Sequence, residues 1–470
     1  MAARQRFDCI VIGGGVSGAV AARRLAEFGL DVCLLHQRET REQRMVESVA
    51  KGSLVVLERL GIADCITDAR VSQSAGTSVR WAGEATETAA SEATSVIVRR
   101  TAVRTALLHK AVQCGVVVTT AASIHELHRH GTGWLAEAET PEGQVRIEAR
   151  LAIFAAGRHG PRCGRRRRLG PVTLAVTGQF NLPEAAARSC VEATAHAWFW
   201  AAPLVGGIQV TAFAAPDHLA LAGEATVEDG FRRLVAGSSL LGHLAGAPLA
   251  DPVTVCDASP TIVEPCVDDH FIAVGDAAFT IDPLSSQGMT KAIVSAEQGA
   301  IALNTMLRQS GRRGAAKAFH LDRTLEALDW DRRASAAHYA RQAAVTPTPF
   351  WLARAEGKAQ ARHRQADGPL LPDAALVFDA AASLAPEPII RGQMIDEETA
   401  LSHPRLARPI AFVGNVPIRL LLANLPRTMT AAELVQHWSP AIGEQAAIRL
   451  LKQLWDNAVL VPARMGTRAG

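Results

Sequence analysis

The feature that most constrains the fold is the glycine-rich segment 13–18, whose glycines are spaced Gly-x-Gly-x-x-Gly. The short apolar run 9–12 in front of it is typical of a buried strand, and the alanine-rich segment 19–26 behind it is typical of a helix packed closely on a sheet. A second apolar run, 32–35, predicts the next parallel strand. This strand, helix and strand are the setting that a dinucleotide-binding motif requires, so we predict a Rossmann-like α/β domain.

Each glycine of the motif has its own physical task. Gly13 permits the tight turn, Gly15 lets the backbone approach a pyrophosphate, and Gly18 lets the helix and the strand pack closely. The N-terminus of the helix then faces the anion with its free N–H groups. The sequence therefore predicts a nucleotide site at this turn.

The end of the second strand departs from the usual pattern. An acidic residue is expected there to hold a ribose hydroxyl, but the chain has His36, followed by Gln37 and Glu39. An uncharged His36 is able to accept that hydrogen bond, and Glu39 offers another acceptor. The alternative is that His36 only ends the strand, and the sequence leaves both readings open.

Composition excludes several classes of protein. Lys and Arg total 49 and Asp and Glu total 46 among 470 residues, so the charge is too even for a protein that binds nucleic acid or an anionic membrane. The basic run 165–168 is interpreted as a solvated loop, with a docking patch for an acidic partner as the alternative.

The cysteines and the apolar runs indicate the compartment. Eight cysteines are scattered without a Cys-x-x-Cys pair, and Cys9 and Cys33 fall in predicted buried strands, so neither disulfides nor a metal site are expected. Because residues 1–6 run directly into the first predicted strand, no signal peptide is expected, and the longest apolar run, 197–208, is too short for a bilayer. We predict a cytoplasmic protein that does not interact with membranes.

The chain divides by pattern into three parts. Residues 1–345 are predicted to form the nucleotide-binding domain, interleaved with a β-rich substrate layer at about 172–262. Residues 346–375 are predicted to be a linker, and 376–470 a small C-terminal domain. The predicted fold class is therefore α/β, with a Rossmann-like domain, an interleaved β-rich domain and a small helical domain.

Four motifs together resemble one large family. They are the glycine motif, an arginine that precedes a helix (Arg100), the strand end 155–157 (Ala-Ala-Gly), and Gly275-Asp276 running on to the segment 282–289. This set is similar to flavin-dependent monooxygenases, halogenases and reductases built like p-hydroxybenzoate hydroxylase, and it covers about residues 7–341. The resemblance implies the fold of that family and FAD as the cofactor.

The resemblance also assigns roles to single residues. It implies that Asp276 hydrogen-bonds the ribitol chain, that Arg100 lies beside the phosphates or the adenosine, and that the helix starting at Gly288 directs its positive N-terminus at the pyrimidine ring. The motifs and the resemblance together give the expected FAD contacts as Gly13, Gly15, Ser17, Gly18, His36, Gln37, Arg44, Ser48, Arg100, Ala156, Gly157, Gly275, Asp276, Pro283, Gly288 and Met289.

A second motif narrows the chemistry. Trp198-Phe199-Trp200 and the following Pro203 resemble the W-x-W-x-I-P signature of flavin-dependent halogenases, and 282–286 (Asp-Pro-Leu-Ser-Ser) resembles their D-P-L-x-S loop. The resemblance also requires a lysine that carries the halogen, on the segment matching 73–81. No lysine lies between Lys51 and Lys110, so halogenation is disfavoured.

Oxygen insertion or reduction remains. In family members that hydroxylate, a flavin C4a-hydroperoxide transfers its distal oxygen to an electron-rich ring, so the protein must exclude water and orient the ring. The catalytic candidates are Lys51, His196, Trp198 and Trp200. A purely structural role for Lys51 and for His196 is the alternative.

The C-terminal part offers a clue to the substrate. Thr430 and Glu433 form a capping box, a second helical pattern follows, and 459–461 is a short apolar run. This order resembles a winged-helix module, but Arg449 and Lys452 are too few basic residues for DNA reading. A peptide-binding module and simple structural packing both remain open.

The complete set of features resembles the flavoprotein monooxygenases that hydroxylate a tryptophan within a protein precursor during tryptophylquinone biogenesis, as in maturation of quinohemoprotein amine dehydrogenase. This resemblance implies a peptide or small-protein substrate, with a partner modifying enzyme as an option. A halogenase of an indole or phenol and a reductase of the geranylgeranyl type are the alternatives. Electrons are expected from NAD(P)H or from a separate flavin reductase.

Overall fold

The chain forms two compact units in a computed structural model. The first unit comprises Met1–Arg313 and His320–Lys358, and the second comprises Gly314–Phe319 and Ala359–Gly470. The structure describes residues 3–37, 45–72, 74–89, 95–161, 163–182, 188–219, 226–355 and 370–463.

The helices and strands follow one another in four stretches of the chain. The stretch to residue 113 contains β1 (Ala3–Ile12), α1 (Val16–Glu27), β2 (Val32–Gln37), β3 (Val46–Ala50), α2 (Leu54–Arg59), α3 (Ala63–Thr67), β4 (Arg70–Ser72), β5 (Gly76–Trp81), β6 (Glu84–Ala89), β7 (Ser95–Arg99) and α4 (Arg100–Gln113). The next contains β8 (Val117–Ala121), β9 (Ser123–His130), β10 (Gly133–Thr140), β11 (Gly143–Phe154), β12 (Arg165–Arg168), β13 (Leu174–Asn181), β14 (Ser189–Ala193), β15 (Ala197–Leu204) and β16 (Gly207–Ala214). The third contains α5 (Pro216–Leu219), α6 (Val227–Ala236), β17 (Thr254–Asp257), β18 (Thr261–Glu264), β19 (Phe271–Ala273), β20 (Phe279–Thr280), α7 (Gly288–Arg308), α8 (Arg313–Val345) and α9 (Pro349–Ala355). The last contains β21 (Ala375–Phe378), β22 (Ser383–Arg391), β23 (Met394–Ser402), β24 (Phe412–Val413), β25 (Val416–Pro417), α10 (Ile418–Leu421), β26 (Met429–Thr430), α11 (Ala431–Ile442), α12 (Glu444–Asp456) and β27 (Leu460–Pro462).

The first sheet has the parallel core that the glycine motif predicts. Its strand order is β8-β2-β1-β11-β10-β9, with β19 also pairing with β11. Strand β1 lies between β2 and β11 and is parallel to both, with Cys9 opposite Val32 on one side and Leu151 on the other. Cys9 and Cys33 are completely buried in these strands, and burial raises the pKa of the Cys33 thiol to about 11. The prediction of a Rossmann-like fold is confirmed.

The substrate layer is larger than its predicted range. Its sheet has the order β17-β13-β16-β15-β14-β5-β6, so the hairpin of β5 and β6 joins strands from the range 172–262. Strand β14 pairs with β5 in parallel, with Val191 opposite Val79. Sequence alone did not place β5 here because this pairing is non-local.

The basic run 165–168 is a strand and not a solvated loop. It forms β12, which pairs with β18, and β20 completes this small sheet. Strand alternation turns Arg166 to the half-buried side, while Arg167 binds Glu264 and Arg168 binds Asp257. Because its side chains are largely engaged inside the unit, the run is a weak candidate for docking an acidic partner.

The range predicted to be a linker, 346–375, begins with ordered structure. Helix α9 carries Phe350 and Trp351, which are 3% and 0% exposed. Both belong to a buried aromatic cluster with Trp198 and Tyr339. Within the described residues, no helix is long and apolar enough to cross a bilayer, and a cytoplasmic location stays a prediction.

The second unit has its own core. Helices α11 and α12 bury Leu434, Trp438 and Leu454 beside the small antiparallel sheet β26-β21-β27. The predicted capping box is present: the Thr430 hydroxyl accepts a hydrogen bond from the Glu433 N–H, and the Glu433 carboxylate accepts one from the Thr430 N–H. The predicted order of helix, helix and strand is thus confirmed.

Candidate active site

A cavity of about 670 Å³ lies within the first unit. This volume is typical of sites for small molecules and cofactors. We call the part at the loops 13–18 and 275–276 the dinucleotide end. The part formed by Trp198, Trp200, Phe213 and Asp282 is called the aromatic end.

Close backbone packing forms the dinucleotide end. Gly13 has a φ of +112°, and a Cβ atom on Gly18 would lie 1.8 Å from the Gly13 carbonyl oxygen. Gly275 has a φ of +60°, and a Cβ atom there would lie 2.0 Å from Ser17 Oγ. The two glycine-bearing loops therefore contact each other directly, although more than 250 residues separate them in the chain.

Two other glycines leave the dinucleotide end open. Among the described residues, no atom lies within 4 Å of a Cβ atom built on Gly15 or on Gly157, and both residues line the cavity. Helix α1 starts beside Gly15 and helix α7 starts at Gly288, and in the part of the chain that the structure describes no side chain caps either N-terminus. Their first N–H groups are left for a ligand, which makes this end suitable for an anionic dinucleotide.

Asp276 is held by two cations at the cavity wall. Lys291 Nζ lies 2.5 Å from Asp276 Oδ1 and also donates to the Phe279 carbonyl oxygen at 2.8 Å, and Arg158 Nε lies 3.2 Å from Asp276 Oδ2. Burial alone would raise the pKa of the Asp276 carboxyl, but the charges of Lys291 and Arg158 outweigh it and hold that pKa well below its usual range. Asp276 is therefore a permanent anion at this point.

Two further arginines complete this positive wall. Arg166 Nη2 donates to the Asp276 carbonyl oxygen at 2.8 Å, so the strand of arginines fixes the Gly275-Asp276 loop. Arg158 Nη1 is buried without a hydrogen-bond acceptor in the described part of the chain. An acceptor supplied by a bound ligand would satisfy it. Arg100 also lines the cavity and pairs with Glu47 at 3.0 Å.

His36 lines the cavity at the end of β2, where a ribose is expected. Its Nδ1 lies 3.0 Å from the Gln37 carbonyl oxygen and its Nε2 lies 3.1 Å from Thr120 Oγ1. A carbonyl only accepts, so in the neutral ring Nδ1 carries the proton and Nε2 accepts from the Thr120 hydroxyl. His36 then holds its strand end, and its one acceptor is already used. Glu39 and Arg44 lie outside the described residues.

Large side chains of the substrate layer build the aromatic end. Trp198 stacks on Phe213 with ring centroids 3.9 Å apart and meets Trp81 edge-on at 6.4 Å. Trp198 and Trp200 both line the cavity, as does the carboxylate residue Asp282. The cavity therefore joins an end rich in ion pairs to an end formed mainly by aromatic rings, where Asp282 is the charged residue among those described.

Two of the predicted catalytic residues lie elsewhere. Lys51 is exposed in a short helix, Lys51–Ser53, and it is not among the described residues that line the cavity. His196 is also exposed, and its ring lies 4.5 Å from that of His218. Neither residue is among the described residues that line the cavity, so the structure does not bring them to it, and a catalytic role for either stays a prediction.

Most of the predicted cofactor residues come together. Those that line the cavity are Gly13, Gly15, Ser17, His36, Gln37, Ser48, Arg100, Ala156, Gly157, Asp276, Pro283, Gly288 and Met289. Gly18 and Gly275 lie behind the wall and permit its close packing. Sequence reasoning missed Lys291 and Arg158. For Lys291 the signal in the sequence was a single lysine in a helix made mostly of small and apolar residues, three residues after Gly288.

Comparisons with known proteins agree with this geometry. Residues 6–198 match the model of the FAD binding domain family. The solved structure of the peptidyl tryptophan dihydroxylase QhpG, essential for tryptophylquinone cofactor biogenesis, is similar with a TM-score of 0.76 at 24% identity, over 96% of this chain and 99% of that one. The flavin-dependent halogenase CmlS is similar with a TM-score of 0.78 at 19% identity, over 97% and 96%. Digeranylgeranylglycerophospholipid reductase 1 of Methanopyrus kandleri is 26% identical over 306 residues, which are 61% of this chain and 78% of the relative.

The matched segment shows an FAD binding domain, and the chain as a whole has the fold shared by flavin-dependent monooxygenases and halogenases. The residues present fit FAD, because the open positions at Gly15 and Gly157 and the unpaired Arg158 Nη1 match an anionic dinucleotide.

Proposed function

We propose that the protein is an FAD-dependent monooxygenase that hydroxylates an aromatic ring, and that the ring is a tryptophan side chain within a peptide or small protein. Reduced FAD would supply the chemistry by activating O2. The chain's own residues would bind the cofactor at the dinucleotide end and orient the ring at the aromatic end.

The choice of oxygenation over halogenation rests on one observation. Among the described residues that line the cavity, Lys291 is the single lysine, and its ammonium is bound to Asp276 and to the Phe279 carbonyl. A lysine in that position is committed to the dinucleotide end and is not available to carry a halogen. The aromatic wall with Trp198 and Trp200 still suits an electron-rich ring.

The peptide substrate is supported by similarity alone. QhpG, by its own description, acts on peptidyl tryptophan, and it is similar over nearly the whole chain. We propose that the second unit contributes to holding such a peptide. The electron source is proposed to be NAD(P)H acting directly or a separate flavin reductase.

The test is an oxygen-incorporation assay. The FAD-loaded protein is incubated with a reductant, isotopically labelled O2 and a tryptophan-containing peptide, and the peptide is analysed by mass spectrometry. We expect peptide that has gained labelled oxygen, and no gain in the same peptide with phenylalanine in place of tryptophan. Labelled hydrogen peroxide as the sole product with every aromatic probe would contradict the proposal.

Two other functions have a specific observation in their favour. The two tryptophans and the similarity to CmlS favour halogenation, which adding bromide to the same assay would reveal as a brominated product. The reductase of Methanopyrus kandleri favours reduction, which would consume reductant without O2 when a prenyl lipid is added. The oxygenated, brominated and reduced products differ in mass, so mass spectrometry distinguishes the three functions.

A further inference from the structure

Asp282 presents a carboxylate to the aromatic end of the cavity. It directly precedes the short helix Pro283–Ser285, and its Oδ1 accepts hydrogen bonds from the Leu284 N–H at 2.9 Å and from the Tyr339 hydroxyl at 2.8 Å. Its Oδ2 makes no hydrogen bond to the described part of the chain, and the residue lines the cavity. One oxygen is therefore fixed by the protein, and the other is left for a ligand.

The other carboxylates among the described residues that line the cavity are in ion pairs. Glu47 is paired with Arg100, and Asp276 is paired with Lys291 and Arg158. A paired carboxylate is a weak proton acceptor because the cation stabilises its charge. Asp282 has only neutral donors, so it is the cavity carboxylate whose basicity is preserved.

The groups that face Asp282 come from two helices. From α8, Asp331 Oδ2 accepts the Asp282 backbone N–H at 2.8 Å, and Tyr339 donates its hydroxyl. From α9, the charge of Arg354 acts on the Asp282 carboxyl, but its guanidinium is hydrogen-bonded to the Val172 and Phe350 carbonyl oxygens and to Thr173. None of these contacts neutralises Asp282 by an ion pair.

We propose that Asp282 is a catalytic base that takes up the proton leaving the substrate ring. Tyr339 is a positioning residue that holds its carboxylate, and Asp331 is one that holds its backbone. This inference rests on the proposed aromatic hydroxylation.

The step balances in atoms and electrons. A C–O bond forms at a ring carbon and the C–H bond at the same carbon breaks, and the electron pair of that bond restores the aromatic ring. The proton moves to Asp282 Oδ2 and then to solvent. O2 supplies the inserted oxygen and its second atom leaves as water, while NAD(P)H, acting through FAD, supplies the two electrons.

The electrostatic setting supports this role. Burial raises the pKa of the Asp282 carboxyl, and burial raises the pKa of the Asp331 carboxyl to about 6. A base is most effective when its pKa lies nearer to the working pH than that of an ordinary aspartate. The pKa values of Asp282 and Asp331 are both raised, that is, shifted towards neutral pH.

The chain provides its own probe, because Tyr339 is its only tyrosine. Isotope-labelled tyrosine in the full-length protein without FAD gives a single NMR signal for the ring carbon that carries the hydroxyl. We expect this signal to titrate with a midpoint above the ordinary aspartate value of about 3.9. The shift should be lost in Asp282→Asn, whose amide still caps the short helix. It should persist in the control Asp329→Asn, an exposed position on α8, the helix that carries Tyr339. A flat titration, or an unchanged one in Asp282→Asn, would overturn the inference.

Turnover provides the second measurement. Asp282→Asn should lower the rate of oxygenated product by about 10²-fold or more, with FAD affinity and anaerobic reduction unchanged. Tyr339→Phe should move the acidic limb of the pH–rate profile to higher pH, because the anion loses a donor. If the natural protein oxygenates no aromatic probe, the proposed function fails while the NMR result stands by itself. If it does oxygenate and Asp282→Asn is equally active, this inference alone fails.

Discussion

The two ends of the cavity are built in different ways. At the dinucleotide end the wall is main chain, held in place by glycines such as Gly18 and Gly275 that admit no side chain. At the aromatic end the wall is made of large side chains, with Trp198 stacked on Phe213. A local sequence motif is enough to define the dinucleotide end. The aromatic end forms only when strands and helices that are distant in the chain pack together.

The electrostatic character of the two ends differs in the same way. The dinucleotide end surrounds Asp276 with Lys291 and Arg158, which fixes its charge. The aromatic end leaves Asp282 with neutral hydrogen-bond donors, so its charge responds to pH. The first arrangement suits binding of a charged cofactor, and the second suits proton transfer during a reaction.

The largest effect is expected at the glycine motif. In Gly18→Ala the new Cβ atom would lie 1.8 Å from the Gly13 carbonyl oxygen, so strand and helix must separate. We expect a loss of about 3 kcal/mol or more in the free energy of unfolding, measured by urea titration, together with loss of FAD binding.

The matched control is Gly15→Ala, in the same turn. Gly15 has a φ of −74°, which any residue adopts, and no atom of the described residues lies within 4 Å of its Cβ position. The stability of the protein without FAD should stay the same or rise by about 0.5 kcal/mol. FAD affinity should fall about tenfold or more, or 1.4 kcal/mol, because the methyl group enters the cavity. Equal losses of stability in both variants would contradict the proposed division of roles.

The next effect concerns the ion pair at the dinucleotide end. Asp276→Asn leaves the Lys291 ammonium, 6% exposed, without its anion. Because the Asp276 side chain is 31% exposed, we discount the usual cost of breaking a buried pair to about 2 kcal/mol. Lys291→Met should cost less, since Asp276 keeps Arg158.

The stabilisation by the Asp276 ion pair should depend on pH in a defined direction. The pKa of Asp276 is lowered in the folded protein, so the ion pair stabilises fully above the unfolded value of about 3.9 and is lost as the pH falls further. The difference in unfolding free energy between the natural protein and Asp276→Asn should therefore shrink on acidification. Lys110→Met, which removes the surface pair with Asp64, is the control and should change stability by less than about 1 kcal/mol.

The same contrast explains how much of the molecule could be predicted. The parallel sheet, the turn at Gly13 and the start of α7 at Gly288 follow from local patterns of glycine and apolar residues. They were predicted because such patterns act over a few residues. Their meeting at the contact of Gly275 with Ser17 was expected only from family resemblance.

The aromatic end could not be predicted as fully. Asp282 belongs to a motif that can be recognised in the sequence. Its hydrogen-bond partner Tyr339 lies 57 residues further on, and no local sequence pattern links the two residues. The β5 strand joined the substrate sheet through a parallel pairing with β14 that no turn signals. His196 is close to Trp198 in the chain, but it is exposed in the loop before β15 and is not among the described residues that line the cavity, because nearness in sequence does not fix the direction of a side chain.

The smallest effect would show whether the two ends act independently. Trp198→Phe keeps a ring on Phe213 but loses part of a stacked contact, so we expect about 1 kcal/mol less stability. FAD affinity, measured by fluorescence titration, should not change, while the yield of oxygenated peptide per reductant consumed should fall. Trp351→Phe is the matched control: Trp351 belongs to the same aromatic cluster and is fully buried, but it does not line the cavity. It should lose similar stability and keep the yield. A fall in FAD affinity with Trp198→Phe would show that the aromatic end also determines cofactor binding, and the two ends would then have to be treated as one site.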